Sequence, residues 1–118
     1  MDNRVTEVIH NGKKIIYGDY SGLVSNDFLD VIVQQEETSL KSNDKNILHL
    51  LNFSESKMSS AAKERANAMI KKLNDNGYNV KTACFGIGNL QRLIASAVKR
   101  DMHFAKNIDD AKDWLIRE

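Results

Sequence analysis

The chain is 118 residues long, 42% hydrophobic and 28% charged, with a net charge of +1, one cysteine and no proline. This is the balance of an ordinary soluble globular protein, and the length suits one domain, residues 1–118, burying about two-thirds of its unfolded surface. The lone Cys84 excludes an internal disulfide, no apolar run supports stable membrane insertion, and the first ten residues lack a secretory core, so a cytoplasmic location is expected.

Residues 4–10 are β-prone, and Asn11-Gly12 is a strong hairpin signal before a second strand over 13–19, so the first two strands are expected to be antiparallel neighbours. Tyr20-Ser21-Gly22 breaks the run. Ser25 is placed to cap a helix over 26–40, with Phe28, Leu29, Ile32, Val33 and Leu40 near helical spacing and Asp27, Asp30, Glu36 and Glu37 on an exposed acidic face. A polar loop, 42–45, leads to the apolar run 47–53, short enough for a buried strand and the expected centre of the sheet. The serine loop 54–60 then opens a second helix, where Ala62, Ala66, Met69, Ile70 and Leu73 form an apolar stripe and Asn76-Gly77 supplies the stop.

A fourth strand is expected over 80–87, followed by a third helix from Asn89 carrying Leu90, Leu93, Ile94, Ala97 and Val98. A short fifth strand over 103–105 comes next. Asn107 and Asp110 have capping-box spacing at the head of a last helix that buries Ile108, Ala111, Trp114 and Leu115. The order ββαβαβαβα implies an α/β fold: a four- or five-stranded mixed sheet, mostly parallel, with four helices and an antiparallel edge hairpin. Charge is uneven along it. Residues 1–56 carry 5 basic and 9 acidic side chains and residues 57–118 carry 12 and 7, so the halves are −4 and +5. Complementary halves within one fold account for this, and the imbalance is too small to predict nucleic acid binding.

Three phrases carry a family resemblance across nearly the whole chain: Tyr17-Gly18-Asp19-Tyr20-Ser21-Gly22-Leu23, Phe85-Gly86-Ile87-Gly88-Asn89-Leu90 and Ile108-Asp109-Asp110-Ala111-Lys112-Asp113-Trp114-Leu115. With the order of elements, they resemble the STAS-like domains, particularly the stage II sporulation AA-like branch of small bacterial proteins. The chain is more distantly similar to anti-sigma-factor antagonists, in which the third strand leads into an Asp-Ser-Ser-Gly motif with a phosphorylated serine. Met58-Ser59-Ser60-Ala61 is the matching phrase, with both serines kept and the acidic residue and glycine replaced. The resemblance therefore implies a phospho-switch at Ser59 or Ser60, where phosphate would add about 1.5 to 2 negative charges at a helix start beside Lys57 and Lys63. The residues alone imply a serine N-cap. Some members of the wider group also resemble CRAL-TRIO lipid carriers in fold, which implies an apolar ligand between sheet and helices.

Elsewhere the chemistry is sparse. Gly86-Ile87-Gly88 follows a strand, with Asp109 21 residues after Gly88, but Gln91 stands where a dinucleotide fingerprint has its third glycine. A tight turn is the expectation there. His10, His49 and His103 fall in separate strands without partners at metal-ligand spacing. His49 points with Ile47 and Leu51; either it shares a partly polar, open face with Lys81, or it is a satisfied core histidine. Cys84 reads as a small buried hydrophobe, Met58, Met69 and Met102 as core filler, Trp114 as an anchor, and Lys99-Arg100 as complementing a helix dipole.

No acid, base or nucleophile pair stands out, so the chain is expected not to be an enzyme and to need no cofactor or metal. The expected role is a non-enzymatic regulatory or interaction module whose partner is another protein or a second copy. The alternative is a carrier or sensor of a small apolar or lipid-like ligand, with an enzyme of unknown reaction third. The candidate surface joins Tyr20, Ser21, Ser54, Ser56, Lys57, Lys63 and Arg65 at the C-terminal ends of the strands.

Overall fold

Asn11 and Gly12, at φ +48° and +81°, fold strand β1 (Val5–His10) back on β2 (Lys13–Asp19) in register, as a two-residue hairpin requires. A computed structural model describes residues 3–86 and 102–117 of the chain. The helix expected from Asn89 lies outside them, as do Ile87, Gly88, Gln91 and Lys99-Arg100. Beyond β2 come β3 (Val24–Ser25), α1 (Phe28–Leu40), β4 (Asn46–Asn52), β5 (Lys57–Met58), α2 (Ser60–Asp75), β6 (Asn79–Phe85), β7 (Met102–Phe104) and a third described helix, α3 (Ile108–Ile116).

Five strands form a mixed sheet in the order β1-β2-β4-β6-β7, antiparallel at the β1–β2 edge and parallel elsewhere, with β4 at its centre. Alternation along the strands sends two apolar sets to opposite faces. Val5, Ile16, Ile47, Leu51 and Cys84 meet Phe28, Val31 and Ile32 of α1 and Ala62, Met69 and Leu73 of α2. Ile15, Leu50 and Ala83 meet Ala111 and Leu115 of α3. Burying a side chain the size of Phe28 contributes roughly 2 to 3 kcal/mol.

The helix starts follow their caps. Asn107 accepts the Asp110 N–H at 2.9 Å at the head of α3, and Gly77, at φ +86°, follows the Asn76 C-cap of α2. Helix α1 departs from expectation. It begins at Phe28 rather than 26, because Ser25, at φ +53°, belongs to β3, which pairs in parallel with β5 inside the stretch expected to be a plain serine loop. Its buried side is Phe28, Val31, Ile32, Gln35, Glu36 and Ser39, so Val33 is 38% exposed and Glu36, expected on the acidic surface, is buried. Charge from α2 explains the second reversal: Arg65 Nη1 lies 2.9 Å and Lys72 Nζ 3.4 Å from the Glu36 carboxylate.

Candidate functional site at the C-terminal end of the sheet

Three segments leave the sheet side by side after β2, β4 and β6. Short polar side chains set the first two turns: Asp19 Oδ1 accepts from the Ser21 N–H at 3.0 Å and hydroxyl at 2.6 Å, and Asn52 Oδ1 accepts from the Ser54 N–H at 3.0 Å. The Ser56 hydroxyl donates to the Phe53 carbonyl at 2.7 Å. Main-chain bonds then lash the segments together, from Tyr20 N–H to Asn52 O (2.8 Å), Gly22 N–H to Ser54 O (2.9 Å), Lys57 N–H to Leu23 O (2.9 Å) and Phe53 N–H to Phe85 O (3.0 Å). Gly86, at φ +76°, passes so close that a Cβ there would lie 2.3 Å from Ser54 Oγ. The result is a bonded ridge with Glu55 at φ +55°, Lys57 exposed and Val24 48% exposed.

Ser59 caps α2 beside the ridge. Its Oγ accepts the Ala62 N–H at 3.1 Å and donates to Asn26 Oδ1 at 3.0 Å, tying the start of α2 to the approach to α1. Ser60, the first residue of α2, is exposed.

The ridge brings together Ser21, Ser54, Ser56 and Lys57, with Lys63 half-buried in the first turn of α2. Tyr20 leaves the surface, and Arg65, half-buried, is already paired. Tyr20 is 2% exposed, with its ring centroid 5.4 Å from that of Phe28 and 5.3 Å from that of Phe53, and its hydroxyl donates to Gln35 Oε1. Burial pushes its pKa up. Arg65 is spent on Glu36: its hydrogen bond is the first cause holding that carboxyl below the usual range, and Glu36 in turn raises the guanidinium. Tyr20 is the correction, since an amphipathic side chain reads as exposed until other segments cover it. The contributions of Val24, Asn26 and Gly86 were missed; only the Asn52-Phe53-Ser54 spacing signals a polar turn in the sequence.

His49 and Lys81 lie on opposite faces, because His49 pairs in register with Thr82. His49 is 1% exposed under α1, with Nε2 2.8 Å from Ser39 Oγ. Burial lowers its pKa to about 3. Lys81 instead donates to the Trp114, Leu115 and Arg117 carbonyls at the end of α3, at 3.0, 3.3 and 2.9 Å. His10 and His103, on the outermost strands, each sit 3.3 Å from an α3 carboxylate, Asp113 and Asp110 respectively. Cys84 is buried, which pushes its thiol up to about 12. Asp109 is exposed in the first turn of α3. Among the described residues no three His, Cys, Asp or Glu side chains converge as a metal site, and no helix is long and apolar enough to cross a membrane.

No family model matches the sequence, and no curated protein matches it. Among solved structures, an uncharacterised DUF3478-family protein with a SpoIIAA-like fold, from Shewanella loihica PV-4, is similar at a TM-score of 0.67 and 18% identity. The match covers 94% of this chain and 91% of that one. The chain has a SpoIIAA-like fold. Within this SpoIIAA-like fold, Met58-Ser59-Ser60-Ala61 runs from β5 into α2, so both serines stand at a helix start beside the ridge. Met58, the last residue of β5, is partly buried and packs against the core.

Proposed function

We propose that this protein is a non-enzymatic interaction module that presents the ridge, with Ser21, Val24, Glu55 and Lys57, to a protein partner. The supporting observation is the way three separate turns are bonded to one another rather than each to solvent. A surface held in one shape loses little freedom on binding, and a non-glycine residue at positive φ, as at Glu55, persists only where its surroundings enforce it. An exposed apolar side chain flanked by charge, Val24 beside Lys57, suits the edge of a protein contact better than a catalytic cleft.

Regulation fits the adjacent helix start. The Ser59 hydroxyl is engaged as a cap on both sides, whereas Ser60 is exposed, so Ser60 is the phosphoacceptor on this reading. Phosphate there meets the α2 dipole and the neighbouring Lys57 and Lys63, and changes the charge of the ridge without dismantling the cap. A reduced, buried Cys84 is consistent with action in the bacterial cytoplasm.

The test compares proteins captured from bacterial lysate by the wild type, by a Val24→Asp/Lys57→Glu ridge variant and by Ile9→Asp on the edge strand, with sedimentation of each to detect self-association. A partner held by wild type and Ile9→Asp but lost by the ridge variant is expected. Equal capture by all three sinks the reading.

A further inference from the structure

Strand β1 lies at one edge of the sheet, with a strand on only one side of it among the described residues. Which of its main-chain groups are spent follows from the hairpin. A two-residue loop closes on a hydrogen-bonded pair, here His10 with Lys13, and the bonding alternates from there through Val8 and Thr6 to Arg4, whose carbonyl accepts from the Asp19 N–H at 2.8 Å. Val5, Glu7 and Ile9 therefore turn their N–H and C=O groups outward. The Val5 N–H is taken by Asn3 Oδ1 at 3.2 Å, which leaves Glu7 and Ile9 as the strand residues with both groups open among the described residues. Little on the strand protects this edge. Exposed edges are commonly blunted by lysine, proline or a bulge, and Val-Thr-Glu-Val-Ile-His has neither residue while its pairing with β2 runs without a bulge.

A second copy fits this edge in one register. Two-fold symmetry makes the paired edges antiparallel, and only the outward-facing residues can bond across the axis. An axis at Glu7 sets the two Glu7 carboxylates directly opposite, a destabilising like-charge pair, and calls on the Val5 N–H that Asn3 holds. An axis at Thr6 calls on the same N–H and leaves Ile9 uncovered, although Ile9, at 67%, is the most exposed large hydrophobic residue described. An axis at Ile9 pairs Glu7 with Asn11, which at φ +48° has already left the strand. An axis at Val8 meets none of these obstacles. Glu7 then exchanges both bonds with Ile9 of the partner subunit, and half-buried Val8 meets the partner's Val8 on the α3 side of the sheet. Charge is complementary as well: Lys14, in register with Ile9 and 3.4 Å from Glu7 in its own chain, stands across Ile9 from the partner's Glu7.

We propose that the chain forms a symmetric dimer in which β1 pairs antiparallel with β1 of a second copy about Val8, joining two five-stranded sheets into one. The open main-chain groups of Glu7 and Ile9 are the bonds of the interface, and Ile9 is its apolar cover. Glu7 selects the register, because its carboxylate opposes the pairing centred on itself. The axis lies toward the hairpin end of β1, away from the ridge that follows the C-terminal end of β2, so the dimer leaves both ridges uncovered and stands or falls independently of them.

Sedimentation of the full chain tests the dimer, and covalent trapping tests its register. The wild type is expected to sediment as a dimer that shifts toward monomer on dilution. Ile9→Asp, which sets a second carboxylate opposite the partner's Glu7, is expected to be monomeric with an unchanged circular dichroism spectrum, while Val24→Asp/Lys57→Glu stays dimeric. Val8→Cys is expected to form an intermolecular disulfide on mild oxidation, because opposed residues of a non-hydrogen-bonded antiparallel pair have Cα atoms about 4.5 Å apart and Cys84 is buried. A monomeric wild type overturns the proposal, as does a dimer that survives Ile9→Asp or is lost in the ridge variant. A dimer in which Val8→Cys does not cross-link overturns the register and with it the role of Glu7. Where Ile9→Asp does not fold, Ile9→Pro makes the same test, since the N–H it removes faces away from β2.

Discussion

On the face covered by α1 and α2, polar groups are carried into the core, whereas on the face covered by α3 they are kept to the rim. The first face buries His49, Gln35, Ser39 and the carboxylate of Glu36. The second has a wholly apolar buried centre of Ile15, Leu50, Ala83, Ala111 and Leu115, and its polar contacts run around the edge of the helix: His10 to Asp113, His103 to Asp110, and Lys13 and Lys81 to carbonyls at its C-terminal end. The difference shows how far the setting of one residue type varies between the two faces. His10 and His103 each lie beside an α3 carboxylate near the surface, while a proton on His49 enters a core whose described neighbours Ser39 and Thr82 carry no charge.

The largest expected effect is therefore acid sensitivity seated under α1. Burial holds His49 at about 3 in the folded protein against an ordinary 6.5. Between those values the unfolded chain binds the extra proton, so the stability is fully present above 6.5 and is lost as pH falls toward 3, by on the order of 4 kcal/mol. Urea unfolding followed by circular dichroism at pH 7, 5 and 4 should record this fall, and His49→Leu should flatten it while His10→Gln does not. An unchanged slope in His49→Leu would break the contrast between the faces.

Next in size is the clasp between the two helices of that face. Glu36→Ala should cost about 1 to 2 kcal/mol in urea unfolding, because it leaves Arg65, 30% exposed, without its carboxylate. Glu36 has the pH sign of a lowered carboxyl: its contribution is present above the ordinary carboxylate range and disappears as pH falls through its lowered value. Ser59→Ala should lose about 1 kcal/mol with the α2 cap, and Ser60→Ala less than about 0.5 kcal/mol, a pair of values that separates the cap from the exposed serine beside it.

The smallest effect belongs to the α3 rim. His10→Gln should change global stability by about 0.5 kcal/mol or less, since its partner Asp113 is 63% exposed. Local opening is the sensitive readout. Amide exchange in α3 should quicken, and the single tryptophan, Trp114, whose ring centroid stacks 5.0 Å from that of His103, offers a fluorescence signal for the same helix. Faster exchange under α1 instead would reassign the rim contact.

The sequence by itself determined the hairpin at Asn11-Gly12, the short apolar run that makes β4 the sheet centre, the serine cap of α2, the Asn107 cap of α3 and the apolar stripes of both helices, because each of these is written in residues within a turn or a strand of one another. Tertiary structure alone decided the partners of the polar residues. Arg65 and Lys72 reach Glu36 across 29 and 36 residues, β3 finds β5 through the crossover, and Tyr20 is sealed by Phe28, Phe53 and Gln35. Tyr20, read as part of the candidate surface, is 2% exposed for that reason, and Arg65 from the same set is half-buried and paired with Glu36. Periodicity reports which side of an element is apolar, but a buried polar side chain is specified by the group that meets it, and parallel crossovers bring that group from far along the chain.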